Sequence, residues 1–291
     1  MIDGFVLVDK SGGLTSHDVV GRIRRLAGQK KVGHAGTLDP MATGLVVVGL
    51  GRCTRLLRFV QAQPKVYVAT ARFGIATDTL DADGEVVASA PLPVSRSDVE
   101  AVLDEFRGRI QQVPPMVSAL KHDGRRLYEL AREGKMVERP PRDVYISELT
   151  VTTVGSGDYP EVGFRVRCGS GTYIRSLADD IAGALGGRAH LTALRRTENG
   201  GHRVEVAWTV ERLDRADSFT DMVLAPVDGL PELPMASVDQ ATAAAVANGV
   251  SIPAEQFDGA GEGAFRVVYE GRLIAVYRTE GTQAKPEVVL G

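Results

Sequence analysis

The sequence predicts a mixed α/β fold. Short apolar runs of strand length alternate along the chain with segments whose apolar residues recur at helical spacing. Hydrophobic residues make up 44% of the 291 residues and charged residues 24%, which is enough to form a core. A change in composition near Leu230 divides the chain into a larger α/β domain with a mixed sheet, residues 1–229, and a small β-rich domain, residues 230–291.

The first elements follow from local pattern. Phe5–Val8 and Leu45–Leu50 are apolar runs that predict strands. Thr15 or Ser16 can cap a helix that begins near His17. Its apolar positions recur at helical spacing: Val19, Val20, Ile23 and Leu26. A further short helix is predicted from Thr54 to Gln61.

The later elements follow from alternation and turn signals. Strands are predicted over Lys65–Phe73, Val144–Val154 and Val162–Cys168. Ser97 and Glu100 form the pattern of a capping box for a helix that ends near Phe106, and Thr172 is a possible cap for another. In the C-terminal part the pattern predicts a helix over Ala241–Ala247 and a hairpin of Phe265–Tyr269 with Leu273–Tyr277.

Composition argues against several classes of protein. No apolar run reaches the roughly 18 residues that a membrane span requires. The first residues lack the basic and apolar regions of a signal peptide, so we expect a cytoplasmic protein. Cys53 and Cys168 are far apart, and neither they nor the five histidines show metal-ligand spacing. We therefore expect two buried cysteines, no metal and no cofactor.

Charge is distributed unevenly along the chain. The net charge is −3, yet residues 1–65 carry ten Lys and Arg against four Asp. Residues 230–291 carry four basic and eight acidic side chains. A basic N-terminal region could contact phosphates even in an acidic protein, although a solvated basic face would give the same count.

The stretch from Gly33 to Gly44 is the strongest candidate for a functional loop. Three glycines and a proline disfavour regular structure, and the Asp39-Pro40 step keeps Asp39 out of the α region. A loop anchored to a core strand would thus present a carboxylate, with an imidazole at His34. The alternative is a structural turn in which Asp39 binds local amides.

Two other interpretations of polar loops fail. The glycines of residues 33–51 match neither a P-loop nor a dinucleotide-binding motif. The acidic turn of residues 78–85 lacks the spacing of a calcium loop, so a hairpin turn at Asp83-Gly84 is predicted instead.

Several motifs together resemble the bacterial tRNA pseudouridine-55 synthases, a B-type pseudouridine synthase family, over roughly the first four-fifths of the chain. They are the stretch 33–44, a Lys-x-Tyr at 65–67, the Pro-Pro-x-x-Ser-Ala-Leu-Lys at 114–121, the Tyr173-Ile-Arg175 segment, and Ala193–Thr197. The resemblance implies a pseudouridine-synthase-like catalytic domain, with a basic insertion that contacts RNA at about residues 118–143. The acidic balance of the last 62 residues leaves RNA contact there open.

The resemblance also implies roles for individual residues. Asp39 corresponds to the catalytic aspartate of the family, and Arg175 would pair with it. An arginine in the first turn of a helix opposes the helix dipole, which independently suggests a carboxylate partner. Contact with the target uridine or its loop is implied for His34, Tyr67, Tyr173 and Leu194. RNA contact is implied for Lys10, Lys65 and Lys121.

The expected function is isomerisation of uridine 55 in the T loop of tRNA, with the base flipped out of the loop. Asp39 would act as nucleophile, at either C6 of uracil or C1′ of ribose. The T-arm stem-loop is the expected partner of a monomer that binds no membrane. A non-catalytic RNA-binding protein or tRNA-folding chaperone is the alternative. A glycosidase-like hydrolase would need a second carboxylate at the site.

Overall fold

The computed structural model describes residues 1–118, 120–122, 124–135 and 137–290. It confirms a mixed α/β fold. The α-helices are α1 (Ser16–Ala27), α2 (Leu57–Ala62), α3 (Arg96–Val102), α4 (Leu127–Arg132), α5 (Ile174–Ala184), α6 (Val210–Asp214) and α7 (Gln240–Ala247). No helix within the described residues is long and apolar enough to cross a membrane.

The strands follow in chain order: β1 (Gly4–Lys10), β2 (Val32–His34), β3 (Thr43–Leu50), β4 (Lys65–Phe73), β5 (Ile75–Thr77), β6 (Val86–Ser89), β7 (Gly108–Gln112), β8 (Lys121–His122), β9 (Arg125–Arg126), β10 (Arg142–Val154), β11 (Glu161–Cys168), β12 (Ala189–Asn199), β13 (His202–Arg203), β14 (Trp208–Thr209), β15 (Met235–Ser237), β16 (Ile252–Pro253), β17 (Gly263–Tyr269), β18 (Arg272–Glu280) and β19 (Gln283–Val289).

The chain forms two compact units, and the first contains both chain ends. Unit 1 comprises residues 1–39, 44–63 and 198–291, and unit 2 comprises residues 40–43 and 64–197. These limits differ from the boundary at residue 230 predicted from composition, which stays a prediction. The difference arises because composition reports on each segment alone, whereas compactness depends on which segments pack together.

In unit 1, β1 lies between β3, to which it is antiparallel, and β14, to which it is parallel. The apolar runs of β1 and β3 are almost wholly buried, because both faces of a central strand are covered. A second sheet has the order β15-β17-β18-β19-β16. It contains the predicted hairpin, whose turn at Glu270 and Gly271 has positive φ at both residues.

The two sheets of unit 1 share a hydrophobic cluster. Phe5 and Leu7 of β1 belong to the same cluster as Val268, Val276 and Val288 of the C-terminal strands. The other face of the C-terminal sheet has a separate core around Phe265 and Tyr277. The C-terminal strands are therefore part of the core that also buries the N-terminal strand.

A single glycine makes this shared core possible. Gly229 packs directly against the ring of Phe5, and a Cβ on Gly229 would overlap that ring. We expect Gly229→Ala to lower the free energy of unfolding by about 1–3 kcal/mol, as overpacking does in other cores. Gly183→Ala on α5 is the control, because a Cβ there has no heavy atom within 4 Å. Denaturant unfolding measures both, and equal stability of the two variants would contradict the tight packing at Gly229.

In unit 2 the strand order is β12-β4-β11-β10-β7. Three neighbouring pairs in this order are antiparallel: β4 with β11, β11 with β10, and β10 with β7. Along β4, Tyr67, Ala69, Ala71 and Phe73 are buried whereas Val68 is exposed, as the predicted alternation requires. The hairpin of β5 and β6 encloses the acidic turn of residues 78–85. There the Asp78 N–H donates to the Glu85 carbonyl, and the Glu85 N–H donates to the Asp78 carboxylate.

The helix caps give one confirmation and two corrections. Thr15 caps α1 in a capping box with Asp18. The cap of α3 is Ser95, not Ser97, which lies two residues later, because the side chains of Ser95 and Asp98 each accept from the backbone N–H of the other. Thr172 does not cap α5: its hydroxyl donates to the Gly169 carbonyl, and Tyr173 holds the N-cap position without a side-chain cap.

Candidate active site

The loop that carries Asp39 is fixed by buried side chains of unit 1. The backbone N–H of Leu38 donates to Ser16 Oγ over 2.8 Å, and Ser16 is 1% exposed. Asn199 donates through Nδ2 to the Ala35 carbonyl over 3.0 Å, and the Ala35 N–H donates to Val47 in β3. Asp39 itself is half-buried. The carboxylate is therefore presented by a loop whose preceding residues have little freedom to move.

Two glycines allow the loop to take this course. Gly36 has φ 104° and Gly44 has φ 103°, values that residues with a side chain rarely adopt. One lies three residues before Asp39 and the other five residues after it. Of the three glycines in residues 33–44, Gly36 and Gly44 therefore adopt a positive φ that favours glycine.

His34 and Lys10 lie near this loop in unit 1. The His34 ring meets the ring of His17 edge to face, with centroids 5.7 Å apart. Lys10 is completely buried, and its Nζ donates to the carbonyls of Ser11 and Leu14. The ammonium therefore organises the turn before α1. Contact of Lys10 with RNA would require the side chain to leave this position, and such contact stays a prediction.

Tyr67 and Lys65 lie on β4 of unit 2, and both are at least nine-tenths buried. Burial, reinforced by the nearby charge of Arg196, lowers the pKa of Lys65 to about 8, against a smaller opposing effect of Cys168. Cys168 is the register partner of Lys65 on β11, and it is buried and free, as expected. Lys65 therefore resides in the sheet core, and its proposed contact with RNA also stays a prediction.

The low pKa of Lys65 predicts a specific pH dependence of stability. Between about pH 8 and its usual pKa of 10.5, the unfolded chain keeps a proton that the folded protein releases. The free energy of unfolding should therefore rise with pH in this window, by up to about 1.4 kcal/mol per pH unit. Lys65→Met should lack this contribution. Denaturant unfolding of both proteins at several pH values measures the difference, and identical pH profiles would contradict it.

The backbone of Tyr173 is held by one side chain. Gln112 accepts from the Tyr173 N–H over 2.8 Å and donates to its carbonyl over 2.9 Å. Gln112 is 2% exposed, so this double contact is buried in unit 2. It replaces the local cap that Thr172 was expected to supply and fixes the start of α5, while the Tyr173 side chain remains half-buried.

Arg175, in the first turn of α5, is 2% exposed and binds several acceptors. Its Nη1 lies 3.2 Å from Asp81 Oδ2 and donates to the Thr79 carbonyl over 2.8 Å. Its Nη2 donates to the Val117 carbonyl over 2.7 Å. The carboxylate partner expected from the helix dipole is thus present. The further pairing with Asp39 stays a prediction.

Asp81 is the functional candidate that the sequence interpretation missed. It is 5% exposed, and its Oδ1 accepts from the Thr79 hydroxyl and the Asp83 N–H. The neighbouring Leu80 has φ 62°, an uncommon value for a leucine. This turn is the acidic segment that fails as a calcium loop. The sequence did contain a signal for Asp81: it belongs to a cluster of acidic residues, and a buried arginine such as Arg175 needs a carboxylate partner.

The remaining predicted residues are placed as follows. Leu194 on β12 is 7% exposed, next to Arg195, whose Nη1 donates to Thr43 Oγ1 over 3.4 Å. The side chain of Lys121 lies outside the described part of the structure. Within the described ranges, no group of three or more His, Cys, Asp or Glu is arranged to hold a metal ion.

Some of the basic residues in the N-terminal region bind other residues of unit 1. Arg52 pairs with Asp3 and donates to the Leu290 carbonyl. Arg55 donates to the Val289 carbonyl, and Arg58 pairs with Glu287 over 2.6 Å. These arginines therefore bind the last strand of the chain. A phosphate-binding surface in this region would depend more on α1 and the residues after it.

Comparison with known proteins shows the family. A profile described as "TruB family pseudouridylate synthase (N terminal domain)" matches residues 24–174, about half of the chain. The chain belongs to the TruB family. A TruB relative named tRNA pseudouridine synthase B from Thermobifida fusca is 45% identical over 99% of both chains. The protein of that name from Mycobacterium tuberculosis H37Rv is 42% identical, over 99% of this chain and 95% of the relative.

Solved structures of other proteins have a similar fold. A chain in the crystal structure of a Cbf5–Nop10–Gar1 complex superposes with a TM-score of 0.75 at 26% identity. The match covers 98% of this chain and 84% of that one. A chain of an H/ACA RNP bound to a substrate RNA has a TM-score of 0.74 at 24% identity, a likeness of fold alone.

Proposed function

We propose that this TruB protein isomerises uridine 55 in the T loop of tRNA to pseudouridine. Relatives named tRNA pseudouridine synthase B match nearly the whole chain, which supports tRNA as the substrate. The observation that carries the proposal is the half-buried carboxylate of Asp39, in a loop anchored by Ser16 and Asn199. A fixed carboxylate is what a nucleophilic step at one atom requires.

The reaction breaks the N-glycosidic bond, turns the uracil and joins its C5 to C1′ of the ribose. In the proposed mechanism Asp39 attacks either C6 of the base or C1′ of the sugar, and the C5 proton is lost at the end. Tyr67 contacts the flipped base and Arg175 orients the charged groups. Flipping costs a few kcal/mol, which contacts of the extruded base offset.

Binding of the RNA is proposed to depend on phosphates and the shape of the loop. RNA recognition of this kind acts on unstacked loop bases, so the T arm alone should contain the determinants. We propose a cytoplasmic monomer, in keeping with a tRNA substrate. No cofactor enters the scheme, because the base leaves and rejoins the same sugar without change of oxidation state.

Tritium release from a T-arm hairpin labelled at C5 of uridine tests the proposal, since the label is lost when C5 is joined to the sugar. We expect stoichiometric release, abolished when the target uridine is replaced by cytidine. Affinity should fall steeply between about 50 and 200 mM salt. Binding without release would support the RNA-binding or chaperone alternative instead. Release from full-length tRNA alone would show that recognition extends beyond the T arm.

A further inference from the structure

The start of α5 lacks the capping box that α1 and α3 have at theirs. Tyr173 holds the N-cap position but makes no side-chain cap. In a capping box, the third helical residue accepts from the N-cap N–H through a carboxylate or amide side chain. In α5 that residue is Ser176, whose hydroxyl donates instead to the Val113 carbonyl over 3.0 Å. The N–H of Tyr173 therefore needs an acceptor from outside the helix.

Gln112, the last residue of β7, supplies that acceptor and a donor as well. Its Oε1 accepts from the Tyr173 N–H over 2.8 Å, and its Nε2 donates to the Tyr173 carbonyl over 2.9 Å. The same carbonyl accepts the first helical hydrogen bond, from the Leu177 N–H over 3.0 Å. Because Gln112 is 2% exposed, loss of either bond would leave a polar group poorly satisfied in the interior. A side-chain amide fits this place because it carries one acceptor and one donor.

The segment that begins at Gln112, residues 112–117, binds the first turn of α5 at further points. The Val117 carbonyl accepts from Arg175 Nη2 over 2.7 Å, and Ser176 is bound as described. One short segment thus contacts the N-cap residue and two residues of the first turn. A shift of this turn would move the side chains of Tyr173 and Arg175 together. The positions of both side chains therefore depend on how firmly the segment holds the backbone at Tyr173.

We infer that Gln112 is a positioning residue for the reaction, which acts through Tyr173 and Arg175 and does not itself contact the RNA. Its two hydrogen bonds fix the backbone at the N-cap position and so set the directions in which these two side chains leave the start of α5. A misplacement of about 1 Å can cost about a hundredfold in a positioned reaction. The inference rests on the proposed function, because it takes Tyr173 and Arg175 to serve pseudouridine formation.

Gln112→Met tests the inference, because methionine has a similar length but can form neither hydrogen bond with the Tyr173 backbone. We expect the single-turnover rate at saturating T-arm RNA to fall about thirtyfold, with RNA affinity within about threefold of wild type. Gln111→Met is the matched control: Gln111 is the exposed neighbour on β7, and this variant should react at the wild-type rate. Rates are compared well below the melting temperature of each variant. A wild-type rate in Gln112→Met, with or without a lower melting temperature, would overturn the inference.

Gln112→Glu adds a pH readout that a purely structural role would not change. The carboxylate keeps an acceptor for the Tyr173 N–H but places its second oxygen against the Tyr173 carbonyl. Burial and this carbonyl raise the pKa of the new carboxyl, and its neutral form can donate to the carbonyl again. We expect a rate far below that of wild type near pH 8.5 and a recovery toward it near pH 5.5, each measured against wild type at the same pH. A deficit of equal size at both pH values would overturn the inference, and Gln111→Glu should show no deficit.

These measurements judge the positioning role separately from the proposed function. Absence of tritium release by the wild type would refute the proposed function. Release by the wild type with an equal rate in Gln112→Met would refute the positioning role alone. If Gln112→Met does not fold, the Glu variant near pH 5.5, where the donor is restored, still provides the test.

Discussion

Replacing Asp39 by asparagine is expected to abolish pseudouridine formation, with a loss of at least roughly a thousandfold in single-turnover rate. The amide has the shape of the carboxylate but is not a nucleophile. The loop should keep its position, because Ser16 still accepts from the Leu38 N–H and Asn199 still donates to the Ala35 carbonyl in the variant. Folding and RNA affinity should therefore survive. Conversion of a T-arm hairpin, measured with a binding assay on the same preparation, separates these effects.

Two companions strengthen this experiment. Asp39→Glu keeps the charge but moves it by about 1 Å, which can cost about a hundredfold in a positioned reaction. Asp158→Asn removes an exposed carboxylate and should leave the rate unchanged. Substantial turnover by Asp39→Asn would remove the nucleophile assignment. Loss of folding together with activity would instead support a structural turn.

Replacing Arg175 by lysine is expected to lower the single-turnover rate about a hundredfold while RNA affinity stays within about threefold. The guanidinium reaches the Asp81 carboxylate and the carbonyls of Thr79 and Val117 at once. An ammonium keeps the charge but lacks the planar fork that holds such acceptors together. The turn around Asp81 should then lose its fixed relation to α5.

Arg188→Lys is the control for this substitution. Arg188 donates two hydrogen bonds to Asp179 of α5, but its side chain is 53% exposed, so the lysine variant should be nearly as active as wild type. A rate for Arg175→Lys equal to that of Arg188→Lys would show that the buried contacts of Arg175 do not serve the reaction. Circular dichroism and thermal unfolding of both variants would distinguish lost activity from lost structure.

Local information predicts part of this molecule well. The start of α1 follows from Thr15 and Asp18, and the apolar positions Val19, Val20 and Ile23 are buried as their spacing requires. The strand over Lys65–Phe73 has the predicted bounds and alternation. In these elements the deciding interactions lie within a few residues or repeat along the chain, so a pattern suffices.

Other features depend on contacts between distant residues. Gln112 fixes the start of α5 from 61 residues away, which no local capping pattern could reveal. Asp81 and Arg175 pair across 94 residues, and each had several possible partners in sequence. Lys10 and Lys65 were counted among the basic residues of the N-terminal region, but both are buried. A count of charges along the sequence cannot show which side chains are exposed to solvent. For Asp39 the resemblance, more than any local pattern, decided in favour of a catalytic role.

The division of unit 1 between both ends of the chain has a consequence during synthesis. Residues 1–63 leave the ribosome first, yet β1 waits for its partner strand β14 and for the cluster shared with β17 to β19. At translation rates of about 5–20 residues per second, the 134 residues of the intervening segment take roughly 7 to 27 seconds to emerge. During that interval β1 and β3, which carry Phe5 and Val47, lack part of the core that buries them. We therefore expect a nascent chain that is paused before residue 198 to be bound by chaperones that recognise exposed apolar strands.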